Sequence, residues 1–159
     1  MAEELLDVST PEGRRDAMAL HGVTPAQLAG ISSDELEAIY SLAVEDLASS
    51  QFDQAMDRLV FLVSHDPWER RYQVAFAHAL QSLGQWESAL QFYTEALLTD
   101  ATDAACAYRA GECLVALADF EGAREAFAMA VSLSWIHPGQ ESVRQAARQC
   151  LDQLAARGV

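Results

Sequence analysis

Three registers of one stretch, LEAIYSLAVEDLASSQFDQAMDRLVFLVSHDPWE (Leu36–Glu69), RRYQVAFAHALQSLGQWESALQFYTEALLTDATD (Arg70–Asp103) and AACAYRAGECLVALADFEGAREAFAMAVSLSWIH (Ala104–His137), align without a gap at a period of 34 residues. Ala43, Ala77 and Gly111 share one slot. Nine residues on stand Phe52, Trp86 and Phe120, then Ala55, Ala89 and Ala123. Leu59, Tyr93 and Phe127 follow, and last Leu62, Ala96 and Ala130. A fixed period with small and large residues in fixed slots marks a repeat architecture. Two antiparallel helices approach closely only where side chains are small, and the large residues fill the holes between them.

A small residue on one helix followed by A-x3-F/Y/L-x2-A on the next is the tetratricopeptide pattern. The expected fold is therefore all-α: a right-handed superhelix of three tetratricopeptide hairpins over residues 36–69, 70–103 and 104–137. Residues 1–35 read as an N-terminal helical arm that caps the stack or dimerises. They hold three helix starts: Thr10-Pro11, Thr24-Pro25 with Gln27, and Ser32 with Glu35. In repeat one the helices should run from Ser33 to Ser49 and from Phe52 to His65. Asp66-Pro67-Trp68-Glu69 reads as the cap of the next helix. Residues 138–159 read as a C-terminal capping helix that starts at Pro138. Val143, Ala146, Ala147, Cys150, Leu151 and Leu154 lie on its apolar face, with Glu141, Arg144, Arg148 and Asp152 opposite.

The 159 residues fit one domain with a sizeable core. Ten basic against 24 acidic residues, a formal charge of −14, argue against nucleic acid and anionic lipid as partners. The first residues lack the basic flank and apolar run of a secretory signal. The longest uncharged run, Ala126–Gln140, is too short to span a bilayer. These features predict a cytoplasmic protein without stable membrane insertion. Cys106, Cys113 and Cys150 have no metal-site spacing and read as reduced core thiols. His21, His65, His78 and His137 fall in separate segments, and phosphate-loop, dinucleotide and zinc-protease motifs are absent. No metal, no cofactor and no catalytic residue is expected, so the chain reads as a non-enzyme.

Stacking accounts for most apolar residues, so the informative ones are those it does not need. The second, fifth, ninth and twelfth positions of each repeat should face a concave groove. They read Glu37, Tyr40, Val44, Leu47; Arg71, Val74, His78, Gln81; and Ala105, Tyr108, Glu112, Val115. Tyr40, Val44 and Leu47 form an i, i+4, i+7 apolar stripe that Val74, Tyr108 and Val115 extend. Such a face suits an extended apolar peptide, with tyrosines as semi-rigid anchors. Arg71, His78 and Glu112 would supply polar contacts. A single arginine beside two acids does not suit a carboxylate clamp. The alternative is a general tetratricopeptide adaptor, such as a needle-subunit chaperone. A second surplus lies at Met56, Val60 and Phe61, where repeat two has Thr94 and Glu95 in place of the last two. An apolar patch of this kind marks an interface, so a homodimer through this surface is expected unless the arm covers it.

The chain resembles the LcrH/SycD family, the class II tetratricopeptide chaperones of type III secretion in Gram-negative bacteria. The likeness runs from Gly30-Ile31-Ser32-Ser33-Asp34 into Leu36-Glu37 and Tyr40-Ser41-Leu42-Ala43. It continues through Gln51-Phe52-Asp53, Gly84-Gln85-Trp86 and Ala110-Gly111-Glu112-Cys113-Leu114. The resemblance implies a cytoplasmic chaperone that holds an extended N-terminal segment of hydrophobic translocator proteins in its groove until export. It carries binding positions onto Tyr40, Val44 and Leu47. The family often has aromatics at the second and third of these, so Val44 and Leu47 imply wider pockets. The resemblance also implies a homodimer when free, through the arm or first repeat. Some family members act with transcription activators.

Overall fold

The structure is a computed structural model and describes residues 9–158. Among these the elements are α1 (Pro11–His21), α2 (Pro25–Ala29), α3 (Ser33–Ala48), α4 (Phe52–His65), α5 (Arg70–Ser82), α6 (Trp86–Thr99), α7 (Ala104–Ala116), α8 (Phe120–Leu133) and α9 (Glu141–Ala156), with no strand. Where length alone predicts one domain, the chain packs as two compact units, Met1–Tyr72 and Gln73–Val159. The first eight residues of the predicted arm lie outside the described residues.

In the first unit the arm is built by side-chain capping. Thr10 accepts from the Gly13 amide at 3.0 Å, and Gly22, at φ 64°, closes α1. Thr24 and Gln27 form a reciprocal box of 3.2 and 2.8 Å that opens α2. Ser32 and Glu35 repeat it at 3.2 and 2.8 Å to open α3. Each box satisfies two amides that the first helical turn leaves without partners. The two bonds from Ser32 also hold the Glu35 carboxyl below its usual range. Leu36 and Ala43 on α3 are buried, as are Ala55, Leu59 and Leu62 on α4. An Arg58–Asp46 ion pair ties the same two helices together.

In the second unit Phe76 and Phe92 meet edge to face at 4.9 Å, joining α5 to α6. Helix α7 packs on α6 and α8, and α9 packs on α8 and α7. One core unites Ala107, Ala123, Phe127, Ala130, Ala147 and Leu154. Leu154 and Ala147 thus come from the predicted apolar face of α9, which dries the last hairpin.

Two expectations need correction. Asp66 does not cap α5. It closes α4, its amide bonding Leu62 O at 2.8 Å, and the chain turns before α5 begins at Arg70. Glu69, the presumed box partner, instead accepts from the Arg71 amide at 3.0 Å. Pro138 does not start the last helix either. Gly139 follows at φ 80°, a left-handed conformation that interrupts a right-handed helix, and α9 starts at Glu141. On the polar face of α9, Arg144 is largely covered. Its guanidinium sits 3.7 Å from the centroid of Trp135, and only 14% of its side chain is exposed.

Candidate functional site

In the first unit, α3 presents Tyr40, Val44 and Leu47 on successive turns. Val44 is 42% exposed, and Tyr40 and Leu47 are half-buried. Tyr40 is held from one side. Its ring packs on Tyr72 at 5.2 Å, tilted by 47°, and the Arg71 guanidinium lies 5.2 Å from its centroid and 5.9 Å from that of Tyr72. Arg71 is itself fixed. It donates to both Glu37 oxygens at 3.3 and 3.1 Å, and its Nε lies 3.3 Å from Glu69. The donors expected to greet a peptide backbone are thus largely engaged within the protein. The two carboxylates raise the Arg71 pKa further, so this cation persists at any working pH. Burial raises the Tyr40 pKa, with Arg71 opposing, so its hydroxyl stays a neutral donor. The arrangement is a rigid aromatic shelf with a charged rim and an apolar stripe beside it.

In the second unit, Val74 and His78 on α5 line a cavity of about 130 Å³ with Cys106 and Arg109. Burial, reinforced by Arg109 and opposed by Glu112, lowers the His78 pKa. Tyr108 packs its ring on Phe127 at 5.6 Å, and burial, with help from Glu112, raises its pKa well above the usual value. Glu112 accepts from Gln81 at 2.9 Å and from Arg109 at 3.0 Å. With Val115, Cys150 and Leu154 it lines a second cavity of about 170 Å³. Gln81 was expected in the groove but is 8% exposed, an interior residue that bonds Tyr93 and Glu112. Sequence reading passed over Tyr72 and Arg109 and took Tyr93 only as a packing residue. Tyr93 alone had a legible signal: it is a polar residue in a slot that holds Leu59 and Phe127 in the other repeats.

Met56, Val60 and Phe61 all lie on α4. Val60 is 46% exposed although α2 packs on that helix, so α2 leaves it open. Phe61 stacks on His65 with centroids 4.0 Å apart. Cys106, Cys113 and Cys150 are free thiols. Burial pushes Cys113 up to about 11, which leaves it protonated and unreactive. Among the described residues no cluster of His, Cys, Asp or Glu could hold a metal ion, and no helix is long and apolar enough to cross a membrane.

The fold matches proteins already known. PcrH of Pseudomonas aeruginosa, solved in complex with the chaperone binding region of PopD, is 31% identical over 82% of this chain and 98% of its own, with a TM-score of 0.77. The chain belongs to the LcrH/SycD family of type III secretion translocator chaperones. The low calcium response locus protein H of Yersinia pestis is 28% identical over 72% of the chaperone and 68% of that relative. A type III secretion complex from Aeromonas hydrophila aligns over 91% of the chaperone and 97% of that chain, at 26% identity and a TM-score of 0.84. Residues 51–130 match the family described as anaphase-promoting complex, cyclosome, subunit 3, and by that match the chaperone also belongs among its helical repeats. PcrH has also been solved with the chaperone binding region of PopB.

Proposed function

We propose that this chaperone holds an extended, apolar segment of a type III translocator in the bacterial cytoplasm and keeps it soluble until export. The observation that carries the reading is the α3 stripe: Val44 is 42% exposed between half-buried Tyr40 and Leu47, one turn from a tyrosine pinned by Tyr72 and Arg71. A stripe of this kind on a monomer's surface calls for an apolar partner. Rigid aromatics give contact area at low entropic cost. Val74, His78, Tyr108 and Glu112 serve as peptide contacts in the later repeats. The PcrH structures support the choice of partner, since PcrH holds a chaperone binding region of PopB in one and of PopD in another. Nothing in this role requires bond chemistry, a cofactor or a metal. Net charge of −14 keeps a complex with an aggregation-prone partner in solution.

The test is Tyr40→Glu, assayed by co-expression with a translocator segment such as the chaperone binding region of PopD. A charge on the shelf should reduce capture by roughly tenfold or more, as for a central aromatic anchor, while the helical circular dichroism is unchanged. Capture at the parental level would sink the α3 face as the binding surface.

When free, the chaperone forms a homodimer through Met56, Val60 and Phe61 on α4. Val60 stays open to solvent beside the arm, which supports this surface.

A further inference from the structure

Gln81 and Tyr93 are a matched polar pair in the middle of an apolar slot. The twelfth and twenty-fourth positions of the repeat hold Leu47 with Leu59 in repeat one and Val115 with Phe127 in repeat three. Only repeat two places an amide and a hydroxyl there. Both are buried, Gln81 at 8% and Tyr93 at 1%, and the hydroxyl donates to Gln81 Oε1 at 2.8 Å. Packing does not ask for this pair, because the sibling repeats close the same space with hydrocarbon. A buried polar pair is weak evidence for stability, and apolar replacement of both partners is often neutral or better. The pair does fix a direction. With Oε1 taken by Tyr93, the Gln81 amide nitrogen points at Glu112 Oε2, 2.9 Å away, and the same oxygen accepts from Arg109 at 3.0 Å. Arg109 lines the cavity of about 130 Å³, and Glu112 lines the one of about 170 Å³.

We propose that Tyr93 and Gln81 are positioning residues that hold the Glu112–Arg109 ion pair as a polar divide between two apolar cavities in the second unit. The divide makes this face read a polypeptide with separated apolar side chains rather than any continuous apolar body, such as a detergent or lipid tail. An apolar side chain enters each cavity, while the neutral backbone between them crosses an ion pair whose charges already satisfy one another. This rests on the proposed reading of the second unit's first-helix face as a peptide surface.

The experiment compares Tyr93→Phe, Gln81→Leu and the double variant in the full chain, by thermal melting and by binding of the neutral apolar dye Nile red. Neither readout needs the partner, so failure here is distinct from failure of the Tyr40→Glu test. Each single variant strands one buried polar group and should melt about 4–8 °C lower. The double variant reproduces the sibling slots and should recover most of that loss. It should also bind Nile red at least threefold more strongly than the parent, because Glu112 loses its Gln81 bond, keeps only Tyr108 and Arg109, and the divide loosens. A double variant that melts below both single variants makes the pair a purely structural one and overturns the proposal. Recovered melting with parental Nile red binding overturns it equally.

Discussion

The Phe127 ring lies against Gly111 so closely that a Cβ on Gly111 would fall 2.6 Å from Phe127 Cε1. Phe127 is 1% exposed and packed with Ala123, Ala130 and Leu154, so a Cβ on Gly111 must push the ring toward the cavity of about 170 Å³ that it lines. The slot holds alanine in the other two repeats, yet Gly111→Ala should destabilise the fold by about 1–3 kcal/mol through overpacking. Chemical denaturation would register this as a lower midpoint. A midpoint equal to the parent's would mean that α7 and α8 can separate freely.

The turn inside each hairpin uses one left-handed residue: Ser50 at φ 59°, Gly84 at φ 76° and Ala118 at φ 61°. These positions are 34 residues apart, so the conformation belongs to the repeat and not to the residue. A side chain strains such a backbone, and glycine relieves the strain at some cost in unfolded-state entropy. Ala118→Gly should therefore stabilise by about 0.5–1 kcal/mol, and Gly84→Ala should do the opposite. The two melting shifts should have opposite signs.

His78 gives the chaperone a pH dependence. Its pKa is lowered in the folded chain, first by burial and then by Arg109, with Glu112 pulling the other way. The unfolded chain therefore binds more protons than the folded one near the ordinary histidine pKa of 6.5. Above that pH the imidazole is neutral in both states and contributes no slope. Stability should fall as pH drops below 6.5, until the folded His78 also protonates. His78→Gln should flatten the profile between about pH 7 and 5, measured by denaturant midpoints. An unchanged slope would assign the effect to another group.

Phe61→Glu tests the α4 surface. Sedimentation equilibrium should show a concentration-dependent mass for the parent and a monomer for the variant. A monomer mass at every concentration for both proteins would remove Met56, Val60 and Phe61 as an interface.

Much of the helical frame was legible because it follows from local rules. The boxes at Thr24 and Ser32 are visible in sequence since a cap needs only a residue and its third neighbour. Asp66-Pro67-Trp68-Glu69 satisfies the same local rule and fails, because the chain turns through Pro67 and Trp68, α5 begins only at Arg70, and Glu69 is drawn to Arg71. Pro138 fails for a similar reason, since Gly139 takes a left-handed conformation after it.

The candidate site divides along the same line. Tyr40, Val44 and Leu47 could be named from spacing, because residues three and four apart on a helix share a face. Their partners could not be named that way. The Tyr40–Tyr72 contact, the Arg71 clasp and the Gln81–Glu112 bond join residues 31 to 34 positions apart. By itself the sequence determined the 34-residue hairpin, its small-residue slots and the stripe that stacking leaves over, since these depend on helical period and side-chain volume. Only the tertiary structure decided which of the spare polar groups are already satisfied. A buried amide such as Gln81 takes its direction from the two partners that desolvation obliges it to find.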